Sequence, residues 1–371
     1  RQMCIRDRFY IIHQLHKRYS LPFSIVKLSS LMFSNKLTGL SSSRSYLKKI
    51  FPDNGGSSYG NNLLKIQYDL QIVVAAYNCE QTIKTCLCSI LNQKTKYRVI
   101  TKVIDDGSTD NTGEIIDHIA EKANGRLNII HQTNKGFSGA RNTGIKVING
   151  KFLMFVDADD TLADGAIESL LDNAYKYNGD IVEGGYNILV NNDVRSTFKH
   201  SFSKKVNPFN TLYGYPWGKL YRSYLFKNVV FPKEYWFEDT VAMYRIWPNA
   251  KHVVTVKNVV YNYYKNTYGI TATYRGKAKS LDTLWVTQKL LNECNNINMQ
   301  TYNFTLSQIV MNTQRLSYLS DKVNKANFVI SRYWVEHYFS GYETNDKKYL
   351  MIEYILKSGT YKDFLNYVYE E

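Results

Sequence analysis

Five apolar residues in a row, Phe152-Leu-Met-Phe-Val156, run directly into Asp157-Ala-Asp159-Asp160. A strand with one wet face alternates polar and apolar side chains, so an unbroken apolar run requires cover on both faces. A parallel sheet sandwiched by helices meets that condition. The acids then stand at the C-terminal end of the strand, where open α/β sheets bind ligands. Carboxylates crowded there repel one another unless a cation lies between them. Mg²⁺ or Mn²⁺ fits, because a hard divalent ion takes oxygen ligands and needs only one or two from the protein when a diphosphate supplies the others.

Period and punctuation extend the pattern in both directions. Strands are expected at 71–77, 99–104, 127–131, 152–156 and 181–186, and helices at 80–91, 113–123, 140–148 and 166–177. Gly125, Asn149-Gly150 and Asn178-Gly179 close three of these helices, since Gly and Asn accept the left-handed cap. Asn78 and Gln81 suit a capping box for the first. Strands alternating with helices imply an α/β fold with a mostly parallel sheet between helix layers. After residue 190 the pattern weakens to two short strands, at 253–256 and 259–264. From about residue 278 the chain reads as helical, with Leu281, Leu284, Trp285, Leu290 and Leu291 along one face.

The formal net charge of +15 would suit nucleic acid if it covered one face, but residues 1–65 hold 11 Lys+Arg against two Asp+Glu, a net +9. That excess argues against a nucleic-acid partner for the rest of the chain. The same segment carries apolar patches, Phe9 to Leu15 and Phe23 to Phe33, between Lys17, Arg18, Lys27 and Lys36. None approaches the ~18 apolar residues of a spanning helix, so the reading is a basic amphipathic element on an anionic membrane surface, or else a helical cap on the main domain. The stretch Asp53-Asn-Gly-Gly-Ser-Ser-Tyr-Gly-Asn-Asn62 reads as a flexible connector. Five cysteines without a C-x-x-C pair, and no secretory signal pattern, point to a reduced, cytoplasmic setting without structural zinc.

Two further strand ends carry chemistry. Asp105-Asp-Gly-Ser-Thr-Asp110 follows the second strand, where an acid can accept hydrogen bonds from a nucleoside and Gly107 permits a tight turn. The Ser-Thr-Asp portion also suits a helix N-cap. Ala75-Ala-Tyr77-Asn78 ends the first strand and puts an aromatic ring where it can stack on a base.

Taken in order, Tyr77-Asn78, Asp105-Asp-Gly-Ser-Thr-Asp110, Asn134-Lys-Gly-Phe-Ser-Gly-Ala-Arg-Asn-Thr-Gly144, the acids after Val156 and Phe237-Glu-Asp239 resemble the family 2 glycosyltransferases over residues 70 to about 240. The resemblance implies a Rossmann-like GT-A fold and an inverting enzyme that uses nucleotide-diphosphate sugars. It implies that the Ala75 backbone, Tyr77, Asp105 and Asp106 hold the uridine, with Asp106 on the uracil edge. It makes Asp157 and Asp159 the D-x-D pair, Asp159 the direct metal ligand, and places Arg141 near the diphosphate or as a clamp on the acidic loop. Pro216-Trp-Gly-Lys-Leu-Tyr221 matches the W-x-K-L-Y segment under the acceptor site, with Trp217 expected to stack on sugar and Lys219 to contact phosphate.

Inversion needs a single in-line displacement at the anomeric carbon, so a carboxylate must take the acceptor hydroxyl's proton on the face opposite the leaving diphosphate. Asp239 is expected in that role, with Glu238 assisting or orienting it. The expected organisation is a basic extension and linker over 1–64, the catalytic domain over 65–270 and a helical region over 271–371. The last is suited to capping the acceptor, to homodimer formation or to membrane contact. Partners are a UDP-sugar donor and a saccharide or lipid-linked acceptor, at the inner face of the plasma membrane. A nucleotidyltransferase would want a Gly-rich, basic phosphate loop where this chain has Tyr77-Asn-Cys-Glu80, and a silent sugar-nucleotide binder would not need every carboxylate. A polymer synthase would want channel-forming helices longer and more apolar than any run here.

Overall fold

A computed structural model of the chain describes residues 39–266 and 269–370. The apolar and basic patches between Phe9 and Lys36 lie outside the described residues. In chain order the first elements are α1 (Leu40–Ile50), β1 (Leu63–Ala76), α2 (Ile83–Leu91), β2 (Val99–Asp105), α3 (Thr112–Lys122), β3 (Leu127–His131) and α4 (Gly136–Ile145). They are followed by β4 (Val147–Asp157), β5 (Thr161–Leu162), α5 (Ala166–Lys176), β6 (Ile181–Val190), β7 (Asp193–Phe198), β8 (Lys219–Arg222) and β9 (Val253–Tyr264). Helices α6 (Asp282–Asn292), α7 (Met299–Leu316), α8 (Asp321–Tyr338), α9 (Leu350–Ser358) and α10 (Tyr361–Glu370) complete the chain. Contacts divide the described residues into two compact units, one within 53–275 with 282–296, the other of 39–52, 276–281 and 297–370.

The first unit is built on a sheet ordered β3-β2-β1-β4-β8-β6-β9-β5, with β7 paired to β6. β3, β2, β1 and β4 are mutually parallel, Ile72 lying beside Met154 and Val74 beside Val156. Phe152 through Val156 are all buried, as the unbroken apolar run requires. Helix α4 packs against β1 so closely that a Cβ on Gly144 would come within 2.4 Å of Val73 Cγ1. Beyond β4 the sheet is mixed, because β8 enters antiparallel between β4 and β6 while β6 and β9 run parallel.

Several local expectations change in three dimensions. The predicted connector is built into the unit: Gly56 N–H donates to the Lys233 carbonyl, and buried Ser58 bonds through both its N–H and its hydroxyl to Glu293. The capping box does not form, because α2 starts only at Ile83 behind Thr82. Asn78 adopts a left-handed conformation at φ 46, and its side chain accepts from Thr109 N–H instead. The two strands expected near residue 258 are one strand, β9, whose register shifts against β6 beside Gly185. The segment from Glu238 to Asn249 is a succession of tight and wide turns, Glu238–Thr240, Ala242–Ile246 and Trp247–Asn249.

The second unit is helical. α1 buries Leu47, and Arg44 of α1 stacks over Tyr333 of α8 at 4.6 Å. Its core holds Leu306, Ile309, Trp334, Ile352 and Phe364, with the Tyr302 hydroxyl donating to the buried Glu353 carboxylate. Asn298 and Ser320 cap α7 and α8 through their side chains. Among the described residues no helix is long and apolar enough to cross a membrane, and Cys79, Cys86, Cys88 and Cys294 are unpaired thiols.

The Gly144 contact predicts that Gly144→Ala lowers the urea midpoint. Overpacking against Val73 costs about 1–3 kcal/mol, more than the ~1 kcal/mol an alanine adds to a helix. A raised midpoint would show that Val73 yields instead.

Candidate active site

The parallel half of the sheet brings the ends of β1, β2 and β4 side by side. At the end of β2, Asp106 N–H donates to the Ala76 carbonyl, and Asp106 Oδ1 accepts from Gln132 Nε2 at 2.6 Å and Lys135 N–H at 2.9 Å. Oδ1 is thus fixed from below. Asp106 Oδ2 accepts from no described residue. Gly107 turns at φ 76, and a Cβ there would stand 2.9 Å from Asn134 N, so the turn needs glycine. Tyr77, 51% exposed, caps this edge beside Asn78.

Asp105 faces a different set. Its Oδ1 accepts from Ser108 N–H and its Oδ2 from His131 Nδ1 at 2.8 Å. Burial would raise its carboxyl, but these bonds and the imidazole hold it below its usual range. The bond to Asp105 in turn raises the His131 pKa. Asp105 therefore has both oxygens engaged in shaping the loop, whereas Asp106 is held through Oδ1 alone among the described residues.

The acid turn after β4 is divided in the same way. Asp160 is buried, its Oδ1 accepting from Tyr264 N–H at 2.7 Å and its Oδ2 from the Tyr261 hydroxyl at 2.9 Å, while that hydroxyl also accepts from Asp157 N–H. Burial, Asp157 and Asp159 push the Asp160 carboxyl up. Asp159 is pushed up by burial and by Asp157, and its Oδ2 accepts from Asn266 Nδ2 at 3.1 Å. Among the described residues no group of three or more His, Cys, Asp or Glu side chains is placed to hold an ion unaided. Two oxygen donors, Asp157 and Asp159, crowded by their own charge, fit a hard divalent cation that shares its shell with a diphosphate.

Arg141 of α4 connects this turn to the second acid pair. Its Nη2 donates to Asp157 Oδ1 at 2.9 Å and its Nη1 to Glu238 Oε1 at 2.5 Å, with 11% of the side chain exposed. Burial works against the guanidinium's charge, but Asp157 and Glu238 hold its pKa above the ordinary value. Burial raises the Glu238 carboxyl against the pull of Arg141. Phe237, left-handed at φ 63, makes the bend that starts the Glu238–Thr240 turn. Asp239 is half-buried, and its charge reaches Arg141, Glu238 and Lys219. The structure thus brings Arg141, Asp157, Glu238 and Asp239 together.

The two residues expected to contact the acceptor are elsewhere. Lys219 is 0% exposed; its ammonium pairs with Glu183 and donates to the Tyr213 carbonyl at 2.6 Å. Glu183 also accepts from His200 Nε2 at 2.6 Å. Lys219 is a core cation with its charge already matched, not a phosphate contact. Trp217 is 3% exposed, stacked on Tyr261 with centroids 4.4 Å apart, and has no face to offer a sugar. Sequence reasoning missed Gln132, Tyr261, Asn266, Glu183 and His200. Only the third acid of Asp157-Ala-Asp159-Asp160 carried a local signal, as one carboxylate more than a metal pair needs.

Comparison with known proteins speaks to the family and the fold. The profile described as Glycosyl transferase family 2 matches residues 71–235. Glycosyltransferase GlyG of Streptococcus pneumoniae is 29% identical over 243 residues, 61% of this chain and 80% of that protein. The UDP-Glc:alpha-D-GlcNAc-diphosphoundecaprenol beta-1,3-glucosyltransferase WfgD of Escherichia coli is 33% identical over 132 residues, 35% of this chain and 51% of its own. Coverage of the curated relatives matched first runs from 30% to 80% of their lengths. The fold is shared with the crystal structure of S. aureus TarS 1-349 in complex with UDP-GlcNAc, at a TM-score of 0.54 and 18% identity, over 79% of this chain and 92% of that one.

Replacing Arg141 by Gln leaves buried Glu238 and half-buried Asp157 without their cation, a loss of up to about 3–5 kcal/mol, the solvent-screened Asp157 arm contributing the smaller part. A Lys at 141 carries one ammonium and no fork, so it restores only part of that stability. Denaturant unfolding of the two variants checks both statements, and equal midpoints for wild type and Arg141→Gln would remove the clamp.

Proposed function

The chain belongs to the family 2 glycosyltransferases through residues 71–235, and we propose that it is an inverting enzyme of bacterial surface polysaccharide synthesis. It moves a hexose or N-acetylhexosamine from a UDP-sugar to a saccharide or lipid-linked acceptor. The observation that carries this reading is the Arg141 bridge, which makes the acid turn after β4 and the Phe237-Glu-Asp239 bend a single constellation. The likeness to WfgD supports a UDP-sugar donor and a lipid-linked acceptor.

On the donor side, Tyr77 stacks on the uracil, the Ala75 backbone lies along the nucleoside, and Asp106 Oδ2 accepts from the base, Oδ1 being held by Gln132 and Lys135. Asp159 and Asp157 hold Mn²⁺ or Mg²⁺; when bound, such an ion supplies positive charge against the departing diphosphate. Arg141 keeps Asp157 in place while its other arm fixes Glu238. On the acceptor side, the Asp239 carboxylate takes the proton of the attacking hydroxyl as oxygen bonds to the anomeric carbon. The bond from that carbon to the diphosphate oxygen breaks on the opposite face, and UDP leaves. Glu238, immobilised by Arg141, orients Asp239.

The proposed organisation is a catalytic unit of residues 53–275 with 282–296, a helical unit of 39–52, 276–281 and 297–370, and the basic residues before 39 as an extension. That extension holds the enzyme at the cytoplasmic face of an anionic membrane, where a lipid-linked acceptor is presented.

Asp239→Asn should cut transfer by about 10²- to 10⁴-fold and leave calorimetric UDP-sugar affinity unchanged; wild-type turnover would take Asp239 out of the base role. Asp159→Ala should lose the gain in UDP affinity that Mn²⁺ gives the wild type. An undiminished response to Mn²⁺ in this variant would place the ion elsewhere.

A further inference from the structure

Trp217 is closed to solvent, yet the ring two residues before it is not. Tyr215 is 43% exposed and lies parallel to Trp217 within 5°, with centroids 4.8 Å apart. Trp217 stacks in turn on Tyr261, within 7°. The Tyr261 hydroxyl is bonded to Asp157 N–H and to Asp160. Three near-parallel rings therefore connect the acid turn to an exposed aromatic surface. Their setting is fixed by the sheet: Tyr186 and Tyr261 are register partners on β6 and β9, and Tyr186 meets Trp217 edge-on at 5.1 Å.

A surface tyrosine usually samples several rotamers, whereas one stacked on a buried indole presents a ring of set plane and height. That is the preorganisation a ligand with a flat apolar face rewards. The half-buried rings Tyr186 and Tyr263, which also meet Trp217, add phenolic edges. A pyranose has the matching chemistry, a C–H face bordered by hydroxyls, whereas an acyl chain gains nothing from hydroxyl edges.

We propose that Tyr215 is the stacking floor of an acceptor-saccharide subsite, joined through Trp217 and Tyr261 to the turn that carries Asp157 and Asp159. This rests on the transfer reading above and names the chemistry of the acceptor next to the reacting hydroxyl. The ladder fixes where the acceptor sugar lies relative to the acid turn, so Tyr215 is a specificity-determining residue. Trp217, the residue expected to meet the sugar, serves as its support.

Saturation-transfer NMR tests the proposal with UDP, cellobiose and di-N-acetylchitobiose as probes, on the full chain with Mn²⁺ and on its Tyr215→Ala and Tyr215→Phe variants. At least one disaccharide should receive saturation at its ring C–H protons in wild type and Tyr215→Phe. In Tyr215→Ala that signal should fall roughly tenfold, with the uracil signal of UDP equal in all three. Saccharide signals that survive Tyr215→Ala, or are absent from wild type while UDP signals are present, overturn the subsite. A uracil signal lost on Tyr215→Ala overturns it too, by assigning the ring to the donor. Saccharide signals that depend on Tyr215 in a protein that does not bind UDP leave the subsite standing and overturn the UDP-sugar reading instead.

Discussion

A single buried guanidinium holds the active-site half of the molecule together. Asp157 leaves the sheet at the end of β4, and Glu238 and Asp239 arrive from a bend about 80 residues later in the chain. Nothing in the sheet ladder ties those two segments to each other. Arg141 does so from α4, with one nitrogen on each carboxylate. Its position depends on how tightly α4 packs on β1, which the absence of a side chain at Gly144 allows. Lysine, with one compact ammonium in place of a planar fork, would not span the same pair.

Arg141 does not neutralise the site. Asp157, Glu238 and Asp239 share one guanidinium, while burial first, and the neighbouring carboxylates second, raise the carboxyls of Asp159, Asp160 and Glu238. The protein relieves the excess negative charge in two ways. The Asp160 carboxylate accepts two hydrogen bonds from β9, one from the Tyr261 hydroxyl and one from the Tyr264 N–H. Asp159 accepts from Asn266 at one oxygen, so its charge is the one best relieved by a bound cation.

The parallel half of the fold was legible because its signals are local. Phe152 through Val156 read as a strand covered on both faces, and the acids, Asp106, Gly107 and Arg141 stand in runs whose spacing survives any change elsewhere. The rest depends on partners far away in sequence. Lys219 looks like a free cation until Glu183 and His200 are seen around it, and Trp217 looks like a binding ring until Tyr215 and Tyr261 are stacked on it. β8, four residues long, has no period to read, and its insertion between β4 and β6 is what turns a parallel sheet into a mixed one. The flexible-looking Gly and Ser stretch before residue 62 acquires its structure from Lys233 and Glu293, neither of which a local reading can supply.

The buried pair of Lys219 and Glu183 belongs to the same logic as the aromatic ladder. An ion pair removed from water gains little net stability over an apolar pair of the same size, so its value lies in what it excludes. Here it excludes a slip of β8: moving the strand by one residue would turn Lys219 to the other side of the sheet and leave Glu183 buried without its cation. The register of β8 sets the position of the residues just before it, Tyr215 and Trp217. A buried charge pair in the core thereby fixes the height of the ring that Tyr215 presents at the surface.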